Sequence, residues 1–127
     1  FKKVKKSIYD FSNFENIGKK LDYFKKKKLN TKLKGFDTTF VINKSTTNLV
    51  GYLKNIKSNI KIEFYSDLPG IQIYSAQNLN YKKRLFPYQG ICLETQYFPD
   101  SPNKKNFPST LIKPNKSTTC YTKIKIN

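Results

Sequence analysis

Glu94 stands directly after the apolar run Ile91-Cys92-Leu93. A carboxylate in that company risks desolvation, which disfavours its charged form. Its pKa then rises above the ordinary Glu value of about 4.3 and suits it to general-base work near neutrality. Asp37, between Phe36 and Phe40, and Gln72, between Ile71 and Ile73, are set among apolar neighbours in the same way. Strand alternation points Glu94 with Cys92 and Gln96, away from Ile91, Leu93 and Thr95, so a solvent-facing glutamate and a functional one are both open on pattern alone.

Other chemistries fall away. The sequence has no His, so a His-based metal site, a Ser-His-Asp triad or a Cys-His dyad cannot be assembled from these residues. Its five Gly are isolated, and none opens a helix in a phosphate-cradling pattern. The expectation is no metal site.

The elements that must position these side chains read as follows. Phe14, Ile17, Leu21 and Phe24 recur at spacings of three, four and three, which predicts an apolar stripe on a short helix capped by Asn13. The Lys25 to Lys28 block and Asn30 read as an exposed loop. Beyond it the period changes to two, and strands are expected over 40–43, 49–53, 59–65, 71–75, 90–95 and 118–126. Pro69-Gly70, Pro87, Pro99-Asp100 and the Asn and Ser clusters supply turns. The fold class is therefore mostly β, a sandwich of antiparallel sheets with one minor helix near the N-terminal end.

The formal charge of +17 raises nucleic acid or an anionic membrane as partner. Two details weaken that reading. Arg84 is the only Arg, although bidentate recognition of phosphates and guanine edges favours guanidinium over ammonium. The lysines are also scattered, as on solvated surfaces. No stretch approaches the roughly 18 consecutive apolar residues that a membrane span needs, so no membrane partner is expected. Cys92 and Cys120 sit in apolar alternating runs and read as buried free thiols, compatible with the cytoplasm. Asn43-Lys-Ser45 and Asn115-Lys-Ser117 match a glycosylation sequon that a chain rich in Asn, Lys and Ser produces by chance. Opening on Phe1 rather than Met, the sequence is expected to be a fragment or processed product.

One resemblance runs along nearly the whole chain. Gly90-Ile91-Cys92-Leu93-Glu94-Thr95-Gln96-Tyr97-Phe98-Pro99-Asp100-Ser101-Pro102-Asn103, followed by Phe107-Pro108-Ser109 and Leu111-Ile112-Lys113-Pro114, resembles the closing signature of the aldose 1-epimerase (galactose mutarotase) family. Leu68-Pro69-Gly70-Ile71-Gln72-Ile73-Tyr74-Ser75 is similar to its strand before the sugar loop. Gly35-Phe36-Asp37 with Phe40-Val41 is similar to its glycine-aromatic-aspartate segment, and Tyr9-Asp10-Phe11 and Ile17-Gly18 to the stretch ahead of it. The resemblance implies residues 1–127 of one large antiparallel β-sandwich, its C-terminal part, with the upstream segment as an absent partner.

The same resemblance implies a function. Glu94 is then the general base that takes the proton of a sugar's anomeric hydroxyl while a His donates to the ring oxygen, without metal or organic cofactor. Asp37 and Gln72 would hold sugar hydroxyls, and Tyr74 would offer a ring face. The substrate implied is a free aldose, galactose or glucose first, since the closing signature is of the free-sugar type. The sequence departs from the family at Thr38, where His is common, at Asp67-Leu68, where Thr-Gln is frequent, and at Ala76-Gln77-Asn78, in place of a Gly-Asn pair. The catalytic His and other upstream ligands would precede Phe1. The alternatives are a non-catalytic carbohydrate-binding sandwich that has lost its acid, and a basic nucleic-acid-binding domain.

Overall fold

Period-two runs of β-branched and aromatic residues form strands wherever turn chemistry leaves five or six residues free of it. The computed structural model describes residues 1–26, 34–43 and 46–127. Along the chain lie α1 (Ile17–Lys26), β1 (Asp37–Val41), β2 (Leu49–Lys54), β3 (Lys61–Ser66), β4 (Gly70–Tyr74), β5 (Cys92–Gln96), a 3-10 turn (Ser101–Asn103) and β6 (Thr122–Ile126). The strands form two three-stranded sheets, in the orders β1-β4-β5 and β2-β3-β6. The fold is mostly β, with antiparallel sheets and one short helix, as the alternation predicts. Boundaries differ locally for physical reasons: Asn59 has φ 56°, a left-handed backbone that cannot sit in a ladder, so β3 begins at Lys61 rather than at residue 59.

The chain divides into two compact units, Phe1–Asp37 with Tyr74–Ile91, and Thr38–Ile73 with Cys92–Asn127. In the first, α1 is capped by Asn16, not Asn13: the Asn16 side-chain oxygen accepts the Lys19 N–H at 3.0 Å. Phe14 therefore lies outside the helix and is 55% exposed, while Phe24 carries the stripe inward. Phe24 and the fully buried Phe36 meet edge-on, their ring centroids 5.1 Å apart, with Tyr9 and Phe11 completing the cluster. Of the Lys25 to Lys28 block, Lys25 and Lys26 close α1, whereas Lys27, Lys28 and Asn30 lie outside the described residues, as do Lys44 and Ser45 of the first sequon.

Asp10 ties down the segment ahead of the helix. Its carboxylate accepts the Ser12 hydroxyl at 2.6 Å and the backbone N–H groups of Lys6 and Ser12 at 2.7 and 3.1 Å. These bonds, the Ser12 hydroxyl foremost, hold the carboxyl down at about 2, from an ordinary 3.8. A carboxyl depressed in this way stabilises the fold above its unfolded value, and that contribution is lost as pH falls through about 2. In the intact protein the Asp10 carboxyl resonance should accordingly titrate near 2 by NMR. A midpoint at the ordinary aspartate value would mean that this turn does not form.

In the second unit, β3 pairs antiparallel with β2 and β6, setting Ile62 opposite Ile126, Glu63 opposite Lys125 and Phe64 opposite Ile124. One face carries Lys61, Glu63, Tyr65, Lys123 and Lys125. There Glu63 accepts from Lys61 at 2.6 Å and from the Tyr65 hydroxyl at 3.0 Å, which lowers its pKa, the Lys61 bond contributing most. The other face carries Ile62, Phe64, Ile124 and Ile126, of which Phe64 is buried while Ile124 and Ile126 are 58% and 70% exposed.

The turn from β3 to β4 explains the residues at 66–70. The Ser66 hydroxyl donates to the Tyr121 carbonyl and accepts the Leu68 N–H, and the Asp67 carboxylate accepts the Tyr121 N–H at 2.9 Å. At Gly70 a Cβ would fall 2.9 Å from the ring of buried Phe98, so only glycine lets β4 start this close to that ring. The closing motif also serves shape. Asp100 adopts φ 65° and opens the 3-10 turn, its side chain accepts from Asn103 at 2.6 Å, and Phe107 packs edge-on to Phe98. Both cysteines are free, but neither is buried: Cys92 is half-buried, and Cys120 is exposed just ahead of β6, whose five residues are all exposed as well. No helix among the described residues is long and apolar enough to cross a membrane.

Candidate functional site

β4 is the central strand of its sheet, and Gln72 sits at its middle, half-buried. β1 runs antiparallel beside it: the Ile42 N–H donates to the Pro69 carbonyl at 2.9 Å, and three residues back along β1 the Thr39 hydroxyl donates to the Gln72 side-chain oxygen. That bond fixes which end of the amide is oxygen and how it is aimed. On the other side of β4 lies β5. The start of β4 adjoins the end of β5, since a Cβ at Gly70 would lie 3.3 Å from the Gln96 carbonyl oxygen. Gln72 and Glu94 thus stand at the centres of adjacent strands of one sheet.

Glu94, at the centre of β5, is exposed, with Leu93 and Thr95 half-buried on either side. The desolvation expected from Ile91-Cys92-Leu93 is therefore not provided by these residues. Alternation turns Ile91 and Leu93 to the opposite face, and strand neighbours in sequence do not cover one another. A base at this position draws its environment from whatever packs over the sheet.

Asp37 and Tyr74 belong to the first unit, where β1 begins and β4 ends. Asp37 is exposed, and Tyr74 is half-buried with its hydroxyl accepting the Asn78 N–H at 3.2 Å. Behind these two residues the buried Phe36 and Ser75 are joined backbone to backbone, Ser75 N–H to Phe36 carbonyl at 3.0 Å. Sequence reasoning named Gln72 but passed over Thr39, the hydroxyl aimed at it. The signal was there in the alternation of Asp37 and Thr39 on β1, but strand pairing was needed to bring Thr39 to Gln72. Among the described residues, no group of three or more Cys, Asp or Glu could hold a metal ion. A cleft of about 690 Å³ in the second unit is lined by Ser101, Asn103, Lys104, Phe107, Thr110 and Leu111 and contains none of the four candidates.

The comparisons with known proteins agree with this arrangement of strands. The family model for aldose 1-epimerase matches residues 1–125. Galactose mutarotase of Mus musculus is 32% identical over 87 residues, covering 63% of this chain and 25% of the mouse protein. The Sus scrofa galactose mutarotase is 29% identical over 118 residues, covering 87% of this chain and 32% of the pig protein. A solved structure, the GalM/aldose epimerase homologue from C. elegans, shares the fold at a TM-score of 0.72 and 22% identity, over 97% of this chain and 36% of that one. The chain thus spans between a quarter and a third of the length of the curated relatives it matches. On the match over residues 1–125, the chain belongs to the aldose 1-epimerase family.

Proposed function

We propose that these 127 residues are the C-terminal part of a single-domain aldose 1-epimerase that interconverts the α and β anomers of a free hexose such as galactose or glucose. The observation that carries the reading is the family match over residues 1–125, within which Gln72 and Glu94 stand at the centres of adjacent strands. In this mechanism Glu94 takes the proton of the anomeric hydroxyl, and an acid donates a proton to the ring oxygen. The bond between the ring oxygen and the anomeric carbon breaks to give the open-chain aldehyde. Rotation about the first carbon-carbon bond and reclosure on the other face, with both proton transfers reversed, give the other anomer. Asp37 accepts from sugar hydroxyls, Gln72 donates through its amide nitrogen while its oxygen stays on Thr39, and Tyr74 flanks the ring.

The family resemblance assigns the acid to a His, and none stands among the 127 residues, so in this reading the acid comes from outside them. The test is polarimetry of freshly dissolved α-galactose with the intact protein. Faster decay to the equilibrium rotation supports the epimerase. Saturable galactose binding with no change in rate would favour the second reading, a sugar-binding sandwich without its acid.

The charge of +17 separates the third alternative. Scattered lysines and a single Arg provide counterion release without base readout, so binding to duplex DNA should be weak and vanish as salt rises to about 0.15 M. Sub-micromolar, sequence-dependent binding in a filter or fluorescence assay at that salt would overturn the epimerase reading in favour of a DNA-binding one.

A further inference from the structure

Ser75 is 2% exposed and Phe36 fully buried, 39 residues apart in sequence, and they grip each other at two points. The Ser75 N–H donates to the Phe36 carbonyl at 3.0 Å, and the Phe36 N–H donates to the Ser75 hydroxyl oxygen at 2.9 Å. The hydroxyl proton points to the Gln77 side-chain oxygen at 2.8 Å, its alternative acceptor, the Phe36 carbonyl, being farther at 3.4 Å. Gln77 is itself 8% exposed. It is turned back beneath Ser75 by Ala76, whose φ of 51° lies in the left-handed region that favours glycine. Gly35 closes the arrangement: a Cβ there would lie 2.4 Å from the Ser75 oxygen and 3.0 Å from the Gln77 oxygen.

Two buried polar side chains, Ser75 and Gln77, and a glycine at 35 that leaves room for both are committed to holding the Phe36 backbone, and the residues on either side of the grip are Asp37 and Tyr74. We propose that Ser75, oriented by Gln77, is a positioning residue for sugar binding: it holds the Phe36 peptide so that the Asp37 carboxylate and the Tyr74 ring leave the sheet at the places where they meet the sugar. The proposal rests on the reading of Asp37 as a sugar ligand. Its physical basis is that hydrogen bonds from a ligand's hydroxyls lose most of their strength with small displacements of the acceptor, and that a displacement of about 1 Å can cost about 10²-fold. A buried clamp of this kind converts side-chain choice at Ser75 and Gln77 into backbone placement at Asp37.

The test uses the intact protein, polarimetric kinetics with galactose, and a double-mutant cycle. Ser75→Ala leaves the Phe36 N–H without its acceptor and should raise KM by about tenfold with kcat unchanged. Asp37→Asn should raise KM as well, and adding Ser75→Ala to Asp37→Asn should raise it by less than the product of the two single effects, because the Ser75 effect acts in part through the Asp37 carboxylate. A purely structural Ser75 would instead lower the Tm without altering KM, or its KM effect would multiply with that of Asp37→Asn, and either result overturns the proposal. Should Ser75→Ala fail to fold, Gln77→Met, which keeps side-chain length but removes the acceptor, decides by the same cycle. An Asp37→Asn variant with unaltered KM would sink the reading of Asp37 as a ligand and this proposal with it, whereas a raised KM there with none at Ser75 would sink the positioning role alone.

Discussion

Replacing Glu94 by Gln in the intact protein should slow mutarotation by about 10²-fold or more while galactose still binds. The amide keeps the shape of the carboxylate and one accepting oxygen, so contacts to the sugar persist. It cannot take up the anomeric proton, and a positioned base contributes about 10²- to 10⁴-fold to such a step. Initial rates from α-galactose by polarimetry, with binding measured separately by calorimetry, read both halves of the expectation. Glu94 is exposed among the described residues. A variant that retains more than about a tenth of the wild-type rate would show that the base lies elsewhere, since that is a smaller loss than any general base is expected to give.

Residues 1–127 expressed alone should not form a cooperatively folded, active domain. In the second unit, all five residues of β6 are exposed, including Ile124 at 58% and Ile126 at 70%, and the loop residue Leu111 is 77% exposed. Asn127 and Lys61 exchange both backbone hydrogen bonds at 2.9 Å, so by antiparallel alternation the backbone groups of Ile124 and Ile126 point away from β3, along an open edge. An apolar face beside an unpaired edge is a site for aggregation unless another segment covers it. Ordering each residue costs about 1–2 kcal/mol, and burial returns about 25 cal/mol per Å², so side chains left in water contribute little against that cost. A charge of +17 adds self-repulsion. Calorimetric unfolding and polarimetry of the 127-residue piece under reducing conditions check both claims. A single cooperative transition would refute the stability half. Turnover that disappears with Glu94→Gln would refute the activity half and would require a Tyr or Lys as acid.

Local patterns in the sequence were enough for the class of fold, the succession of helix and strands along the chain, and the family. The reason is that alternation, turn chemistry and signature residues are properties of neighbours. Ile60, Ile62 and Phe64 predict β3 because side chains two apart share a face, and Pro69-Gly70 predicts the entry to β4 because the turn tolerates little else. Even the missed helix cap was close, Asn16 taking the role assigned to Asn13, since both stand ahead of the same stripe. What the sequence could not supply was the surroundings of any one side chain. The apolar run before Glu94 suggested burial, yet in a strand Ile91 and Leu93 face away, and the carboxylate is exposed. Cys120 read as buried, yet it is exposed, as is every residue of β6 after it. Thr39 reaches Gln72 across 33 residues, and Ser75 grips Phe36 across 39. Desolvation and hydrogen-bond partnership are set by groups distant in the chain and brought close by strand pairing, so only the tertiary structure decided which polar residues are held, by what, and how openly Glu94 meets water.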